Sequence, residues 1–383
     1  MPPYPFARWA AQLAKARQKG VDVIRLDMGN PDMPPPEEVV EALCQSARLP
    51  DKHGYPGYKG TPELRGAMAE YYRRRFGVGL DPETQVVPLI GSKEGIVNLA
   101  LACLDPGDLA LIPDPGYTPY TMGVYLAGAE VYTFPLLAEN EFLPDFGAIP
   151  GDVANRASLM WLNYPNNPTG ATADLGFFAQ AVNFARQHDI LLCHDVPYCD
   201  IAYDGYVPPS LLQVEGAIEV AVELNSLSKT YSMAGWRVGM AVGNAEALSS
   251  LARVKTNMDS GVFFPIQEAA VRALSVDPAW VGALNEVYRE RMEIIADALN
   301  DIGMPFSRPR ATLYLWAQVP PGWSSEKFAL ALLEGTGVSL SPGTFFGPAG
   351  EGYVRISVTA PTDRVQEAME RLRRFDKSPP QTR

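Results

Sequence analysis

The sequence predicts an α/β protein: a large domain built on a mostly parallel mixed sheet flanked by helices, plus a smaller α+β domain. Three observations carry that expectation. Short apolar, strand-like runs alternate with helical patterns through the middle of the chain. After about residue 262 the alternation gives way to a long helical stretch and scattered short strands. The motifs richest in chemistry follow directly on strand-like runs, where open α/β sheets bind ligands.

The elements follow in order. A helix is expected over 6–19 and a strand over 23–28, packing with the C-terminal part of the chain. Strands are expected over 86–90, 109–112, 130–134, 157–163, 190–194, 220–225 and 238–242. Continuous apolar runs of this length suit strands buried on both faces. Helical patterns separate several of them, over 93–103, 118–126 and 174–188. A long helical stretch covers 267–299, with Asp277-Pro278 as its break point. Then come a strand over 312–318, a helix over 324–333, short strands near Val338 and over 353–358, and a last helix over 363–374. The tail 376–383 is polar and expected to fray. The abundant prolines, 35 in all, sit mostly between periodic segments as turn punctuation, and there is no internal repeat.

Composition narrows the function classes. The 383 residues are 47% apolar, enough for one or two domains with a sizeable core. A net charge of −12 disfavours nucleic acid and anionic membranes as partners. No apolar run reaches the ~18 residues of a membrane span. The start, Met1-Pro2-Pro3-Tyr4, lacks the pattern of a signal peptide. Four scattered cysteines suit a reducing compartment, so a cytoplasmic location is expected. Cys193, His194 and Cys199 lie close together, but a zinc site needs about four paired ligands and the chain has three histidines. No metal is expected.

Five motifs carry the chemistry. In Asn225-Ser226-Leu227-Ser228-Lys229, small hydroxyl residues precede a lysine, and Arg237 follows it by eight. Hydroxyls and a guanidinium fork suit a phosphate dianion, and a lysine beside such a site can form an imine with a phosphate-bearing aldehyde. Asn163-Tyr164-Pro165-Asn166-Asn167-Pro168-Thr169-Gly170 follows a strand; its residues are also ordinary turn formers. His194-Asp195-Val196-Pro197-Tyr198 ends another strand, where Asp195 either caps a turn or faces a pyridinium nitrogen. Gly91-Ser92-Lys93-Glu94-Gly95 joins a strand to a helix start, either an anion site or a simple N-cap by Ser92. Asp114-Pro115-Gly116-Tyr117 is a turn able to place a ring over a flat cofactor.

Together these motifs resemble the class I/II aminotransferases of the fold-type-I pyridoxal-phosphate family, over about residues 3 to 373. The branch they resemble most is that of the LL-diaminopimelate aminotransferases. The matching stretches are Gly29-Asn30-Pro31-Asp32-Met33-Pro34-Pro35-Pro36, Tyr55-Pro56-Gly57-Tyr58-Lys59-Gly60, the Gly91 and Asp114 motifs, and Gly350-Glu351-Gly352-Tyr353-Val354-Arg355-Ile356-Ser357. The resemblance implies a fold-type-I aminotransferase with pyridoxal 5'-phosphate as cofactor. It implies a large cofactor-binding domain over 46–284 and a small domain built from both chain ends, 1–45 and 285–383.

The same resemblance implies residue roles. Lys229 matches the Schiff-base lysine and proton carrier, and Asp195 the partner of the ring nitrogen. Tyr198 and Asn167 match the pair on the ring oxygen, with Asn167 also at the substrate, and Tyr117 the stacking aromatic. Ser92, Lys93, Ser226 and Arg237 match the phosphate cup, with Ser228 near enough to join. Arg355 matches the grip on the substrate α-carboxylate, with Gly29 as backbone beside it. Tyr55 matches a tyrosine that reaches the neighbouring subunit's phosphate, which implies a homodimer with shared active sites. The segment 257–264 has no arginine for a distal carboxylate, unlike members selective for aspartate. Tyr58 stands where plant members of the diaminopimelate branch carry a glutamate. The expected reaction is ping-pong transfer from an L-amino acid to a 2-oxo acid such as 2-oxoglutarate. LL-diaminopimelate, in lysine biosynthesis, is the leading donor. Alanine, aspartate, aromatic or branched amino acids, N-succinyl-diaminopimelate, and a lyase reaction on the same scaffold stay open.

Overall fold

The computed structural model describes residues 5–379. The helix α1 (Pro5–Gln18) leads into the two-residue strand β1 (Ile24–Arg25), then α2 (Glu37–Ala47) and α3 (Pro62–Phe76). Six strands and their connections follow: β2 (Val86–Leu89), α4 (Ser92–Cys103), β3 (Leu109–Asp114), α5 (Pro119–Leu126), β4 (Glu130–Pro135), α6 (Gly151–Ala154), β5 (Ala157–Leu162), α7 (Leu175–His188), β6 (Leu191–Asp195), α8 (Ala217–Val220) and β7 (Ala221–Ser226). Next come α9 (Leu227–Thr230), β8 (Gly239–Gly243), α10 (Ala245–Met258), α11 (Phe264–Leu274) and α12 (Pro278–Asp301). The chain closes with β9 (Phe306–Ser307), β10 (Tyr314–Gln318), α13 (Ser325–Thr336), β11 (Val338–Ser339), β12 (Ser341–Pro342), β13 (Tyr353–Ser357) and α14 (Thr362–Arg374).

The α/β expectation holds. Strands β2, β8, β7, β6, β5, β3 and β4 form one seven-stranded sheet in that order. It is parallel except at β8, which pairs antiparallel with both β2 and β7. Alternate residues serve opposite faces, as strand geometry requires. Leu159, Trp161, Cys193 and Leu224 join a core under α4, α5 and α10. Met160, Leu162 and Leu192 join the larger core with Phe177, Phe178 and Ala181 of α7. A second sheet, β12-β13-β10-β9, and the short parallel pair β1-β11 complete the fold.

The break at Asp277-Pro278 separates α11 from α12, with Asp277 capping α12 through the Ala279 N–H at 2.9 Å. The expected strand over 23–28 shrinks to Ile24–Arg25. Beyond it Leu26 still bonds the backbone of Ser339 and Ser357, and the chain then turns through Met28 and Asn30, whose N–H donates to the Met28 carbonyl at 3.0 Å, to border a cavity. The strand expected from 312 starts at Tyr314, because Thr312 adopts φ 78° and its hydroxyl accepts from the Tyr314 N–H at 3.2 Å. Of the tail 376–383, residues 380–383 lie outside the described residues, as do 1–4 at the start. Among the described residues no helix is long and apolar enough to cross a membrane.

Candidate active site

A cavity of about 350 Å³ opens where the parallel strands of the large sheet end. Asn167 enters it from the loop after β5, Asp195 from the end of β6, and Ser226, Ser228 and Lys229 from the β7–α9 junction. Ser92 and Lys93 open α4, directly after β2, and Tyr117 follows β3. Arg355 arrives from β13, Gly29 from the turn after β1, and Arg237 and Tyr198 complete the wall. Every site residue expected from the sequence lines this cavity except Tyr55. Tyr55 is 88% exposed on the surface.

Among the described residues Asp195 is the sole carboxylate in the lining, against Lys93, Lys229, Arg237 and Arg355. It shares the sheet face of Cys193, so it meets α5, where the Tyr120 hydroxyl donates to its Oδ2 at 2.8 Å. Its other oxygen, Oδ1, is buried without a partner among the described residues. Burial pushes the carboxyl up to about 7, against the opposing pull of the Tyr120 bond and of His194. His194 faces the other side of the sheet, bound to Glu223 at 2.8 Å and the Tyr164 carbonyl at 3.0 Å. These bonds make it a strut between β6, β7 and the β5 loop. Among the described residues no group of three or more His, Cys, Asp or Glu side chains could hold a metal. Cys193 is buried filler in the core.

The Asn-Pro-Thr-Gly loop is tied by its own side chains. Asn166 Oδ1 accepts from the Thr169 N–H at 3.0 Å and from its hydroxyl at 2.7 Å. Asn163 accepts from the Asn167 N–H at 2.8 Å and donates to the Asp195 carbonyl at 2.6 Å, locking the β5 loop to the β6 end. Asn167 is thereby presented to Arg355, whose guanidinium donates to Asn167 Oδ1 and to the Asp27 carbonyl, both at 2.7 Å. The guanidinium centre also lies 4.0 Å from the Tyr314 ring centroid and 4.6 Å from that of Phe346, a cation–π cradle.

Lys229 donates to the Gly29 carbonyl. Burial lowers its ammonium pKa; nearby Tyr314 opposes the shift, while Arg355 and Arg237 add to it. An amine so placed is neutral at a lower pH than a solvated lysine. Gly29 has to be glycine, since a Cβ would overlap the Tyr314 hydroxyl.

Helix α4 supplies the anion end. Its cap is Gly91 at φ 77°, with no side-chain cap, so Ser92 is the first helical residue and the N-cap alternative for it is overturned. The leading N–H groups of a helix lack intrahelical acceptors and attract negative charge. A Cβ on Gly91 would overlap the Arg237 guanidinium, which packs over this turn. Burial and Arg237 together lower the Lys93 pKa. Ser226 caps α9, accepting from the Ser228 N–H at 3.2 Å, and its hydroxyl donates to Ser228 Oγ at 2.9 Å.

The site contains partners that the sequence reading missed. Tyr120 had a usable signal, because it opens α5 three residues after Tyr117, and the two rings meet at 5.7 Å. Tyr314 had none: a tyrosine inside an apolar strand reads as core.

The donor set fits pyridoxal 5'-phosphate. The orphaned Asp195 oxygen needs a buried hydrogen-bond donor, such as a protonated ring nitrogen. The α4 terminus with Arg237 needs an anion, and the lysine amine stands in the same cavity.

Comparison with known proteins follows the same line. The aminotransferase class I and II family model matches residues 21–372. The chain is 53% identical over 373 residues to the LL-diaminopimelate aminotransferase of Desulforudis audaxviator, covering 97% of this chain and 95% of that protein. A substrate-bound BacF structure from Bacillus subtilis superposes with a TM-score of 0.93 at 40% identity, over 97% of this chain and 95% of that one. A probable N-succinyldiaminopimelate aminotransferase structure from Thermus thermophilus gives 0.91 at 41%, over 96% and 99%.

Proposed function

The chain belongs to the aminotransferase class I and II family, and from that premise we propose that it moves the amino group of LL-diaminopimelate to 2-oxoglutarate by a ping-pong mechanism. The observation that carries the chemistry is the buried, unpartnered Asp195 oxygen in the cavity that also holds the Lys229 amine. Near-complete alignment at 53% identity with an enzyme named for that donor supports the substrate.

When bound, pyridoxal 5'-phosphate supplies the electron sink that acidifies the Cα–H of an amino acid. Ser92, Lys93, Ser226, Arg237 and the α4 N-terminus would hold its phosphate, and Tyr117 would cover its ring. Asp195 would accept from the ring nitrogen, and Asn167 and Tyr198 would bond the ring oxygen. Arg355 binds the α-carboxylate with the N–H groups it does not spend on Asn167 and Asp27, a planar fork that lysine lacks. Lys229 Nζ, whose pKa burial lowers, would tether the cofactor and, once the substrate amine has displaced it, would take the proton from the substrate Cα. Such a positioned base contributes roughly 10²–10⁴-fold.

The reading includes a homodimer. Leu49, Tyr55, Tyr58, Met258 and Phe263 are exposed. They lie on two segments held together by the His53–Phe263 ring contact at 5.9 Å. A second copy covering them would bring Tyr55 to its partner's site. Four free cysteines suit a cytoplasmic setting, and the proposed donor places the enzyme in lysine biosynthesis.

An amino-donor panel with 2-oxoglutarate tests the substrate. A response to LL-diaminopimelate well above alanine, aspartate, tyrosine and N-succinyl-diaminopimelate is expected. A stronger response to any of those four overturns the donor while leaving the family intact.

A further inference from the structure

Lys255 is 2% exposed on α10 and lies outside the cavity. A buried ammonium persists where carboxylates pair with it. Its Nζ donates to Asp259 Oδ2 at 2.7 Å and stands 3.6 Å from Glu94 Oε1. Asp259 is fixed in turn by the Gly261 N–H at 2.8 Å.

Glu94 is the third residue of α4, next after Ser92 and Lys93 of the cavity lining. Its Oε2 accepts from the Ile90 N–H at 3.0 Å, and its Oε1 from the Asn98 amide. With Lys255 these make three donors around one carboxyl, the surroundings of an ionised acceptor. Burial pushes this carboxyl up, and Lys255 is the strongest influence against that rise. The Ile90 residue held by Glu94 leads straight into Gly91, and Arg237 Nη2 lies 3.5 Å from the Ile90 carbonyl oxygen. Glu94 therefore braces the turn on which the anion site is built, but it sets a negative charge beside that site. Like charges so placed repel, and partial burial leaves them poorly screened.

We propose that Lys255 is the charge-compensating residue of the anion site: it cancels the Glu94 carboxylate, so that Glu94 holds the Ile90–Gly91 turn without repelling a bound phosphate. Neither side chain touches the cofactor in this scheme, and both act through the turn. The inference rests on the pyridoxal-phosphate reading for its natural ligand, but inorganic phosphate probes the same site without that reading.

The test is calorimetric titration of cofactor-free protein with pyridoxal 5'-phosphate, pyridoxal and inorganic phosphate, at about pH 8, where phosphate is a dianion. Lys255→Met should weaken both phosphate-bearing ligands about tenfold and pyridoxal by no more than about twofold. Glu94→Gln keeps an acceptor for the Ile90 N–H and drops the charge, so it should bind phosphate at least as tightly as wild type. The double variant Glu94→Gln/Lys255→Met removes the whole pair and should return to within about threefold of wild type. A merely structural lysine would not be rescued by neutralising its partner. Unchanged phosphate affinity in Lys255→Met, an equal loss for pyridoxal, or a double variant as weak as Lys255→Met overturns the proposal. Should Lys255→Met alone fail to fold, the other two variants decide, and phosphate binding looser than wild type in Glu94→Gln overturns it. A wild type that takes inorganic phosphate but no pyridoxal 5'-phosphate fails the cofactor reading instead, and the phosphate series still judges Lys255.

Discussion

Arg355 donates to the Asn167 side-chain oxygen at 2.7 Å, across 188 residues of sequence. The bond joins the second sheet to the loop at the end of β5, so the groups proposed for carboxylate and ring oxygen are held as one unit. Replacing the guanidinium by an ammonium removes the fork, the Asp27 carbonyl bond and the stacking on Tyr314 together. Arg355→Lys should lower kcat/KM by about 10²-fold, mostly as a larger KM for both amino acid and oxo acid. Steady-state kinetics with each substrate varied in turn measures this.

Asp195 should trade stability for function. A carboxyl raised from 3.8 to about 7 by burial stabilises the folded chain, relative to the unfolded one, only while protonated. The resulting penalty is absent below about pH 4, grows as pH rises and reaches at most about 4 kcal/mol above pH 7. Asp195→Asn removes the charge. Without cofactor, it should melt above wild type at about pH 8, and the gap should narrow towards about pH 5. Turnover should be lost at every pH. Calorimetry of the cofactor-free proteins across pH checks the sign.

A side chain at Gly91 would be strained at φ 77° and would meet the end of the Arg237 guanidinium. Gly91→Ala should push Arg237 out of the anion site and weaken cofactor binding by about tenfold or more, the worth of one charge-assisted hydrogen bond. Absorbance titration with pyridoxal 5'-phosphate measures the affinity, and pyridoxal without its phosphate should show a smaller difference.

Tyr55 is exposed and away from its own chain's cavity, so its proposed role is visible only between subunits. Lys229→Ala and Tyr55→Ala chains should each be impaired alone. Refolded together in equal amounts, half the dimers are mixed and each holds one intact site, so activity should rise towards about one quarter of wild type. Mixing that yields only the average of the two parents would show that sites are not shared.

Much of this was legible in the sequence for a physical reason. Strands buried on both faces read as unbroken apolar runs, which is why β3, β5, β6, β7 and β8 fall within a residue or two of expectation. The motifs at their ends converge because parallel strands bring their C-terminal loops to one edge, so Ser92, Tyr117, Asn167, Asp195 and Ser226 needed no long-range information to be grouped. Contacts between the two halves of the fold were not legible. Tyr314 meets Tyr198 only because the start of β10 comes beside the loop after β6, and no local spacing encodes that approach. Helices α2, α3 and α10 also went unnamed. In α3 seven of fifteen residues are buried, including Arg65, so a charged residue sits where an apolar one would mark the face. Arg65 is accommodated by the Pro82 and Gly60 carbonyls and Glu83.

The central claim is that the Lys229 amine, and no other, bonds covalently to the cofactor aldehyde. Purified protein is incubated with pyridoxal 5'-phosphate, reduced with borohydride, digested and mapped by mass spectrometry. The account predicts stoichiometric labelling of the peptide containing Lys229 and none in Lys229→Ala. Labelling that is absent, or spread over surface lysines with Lys229 unmodified, contradicts it.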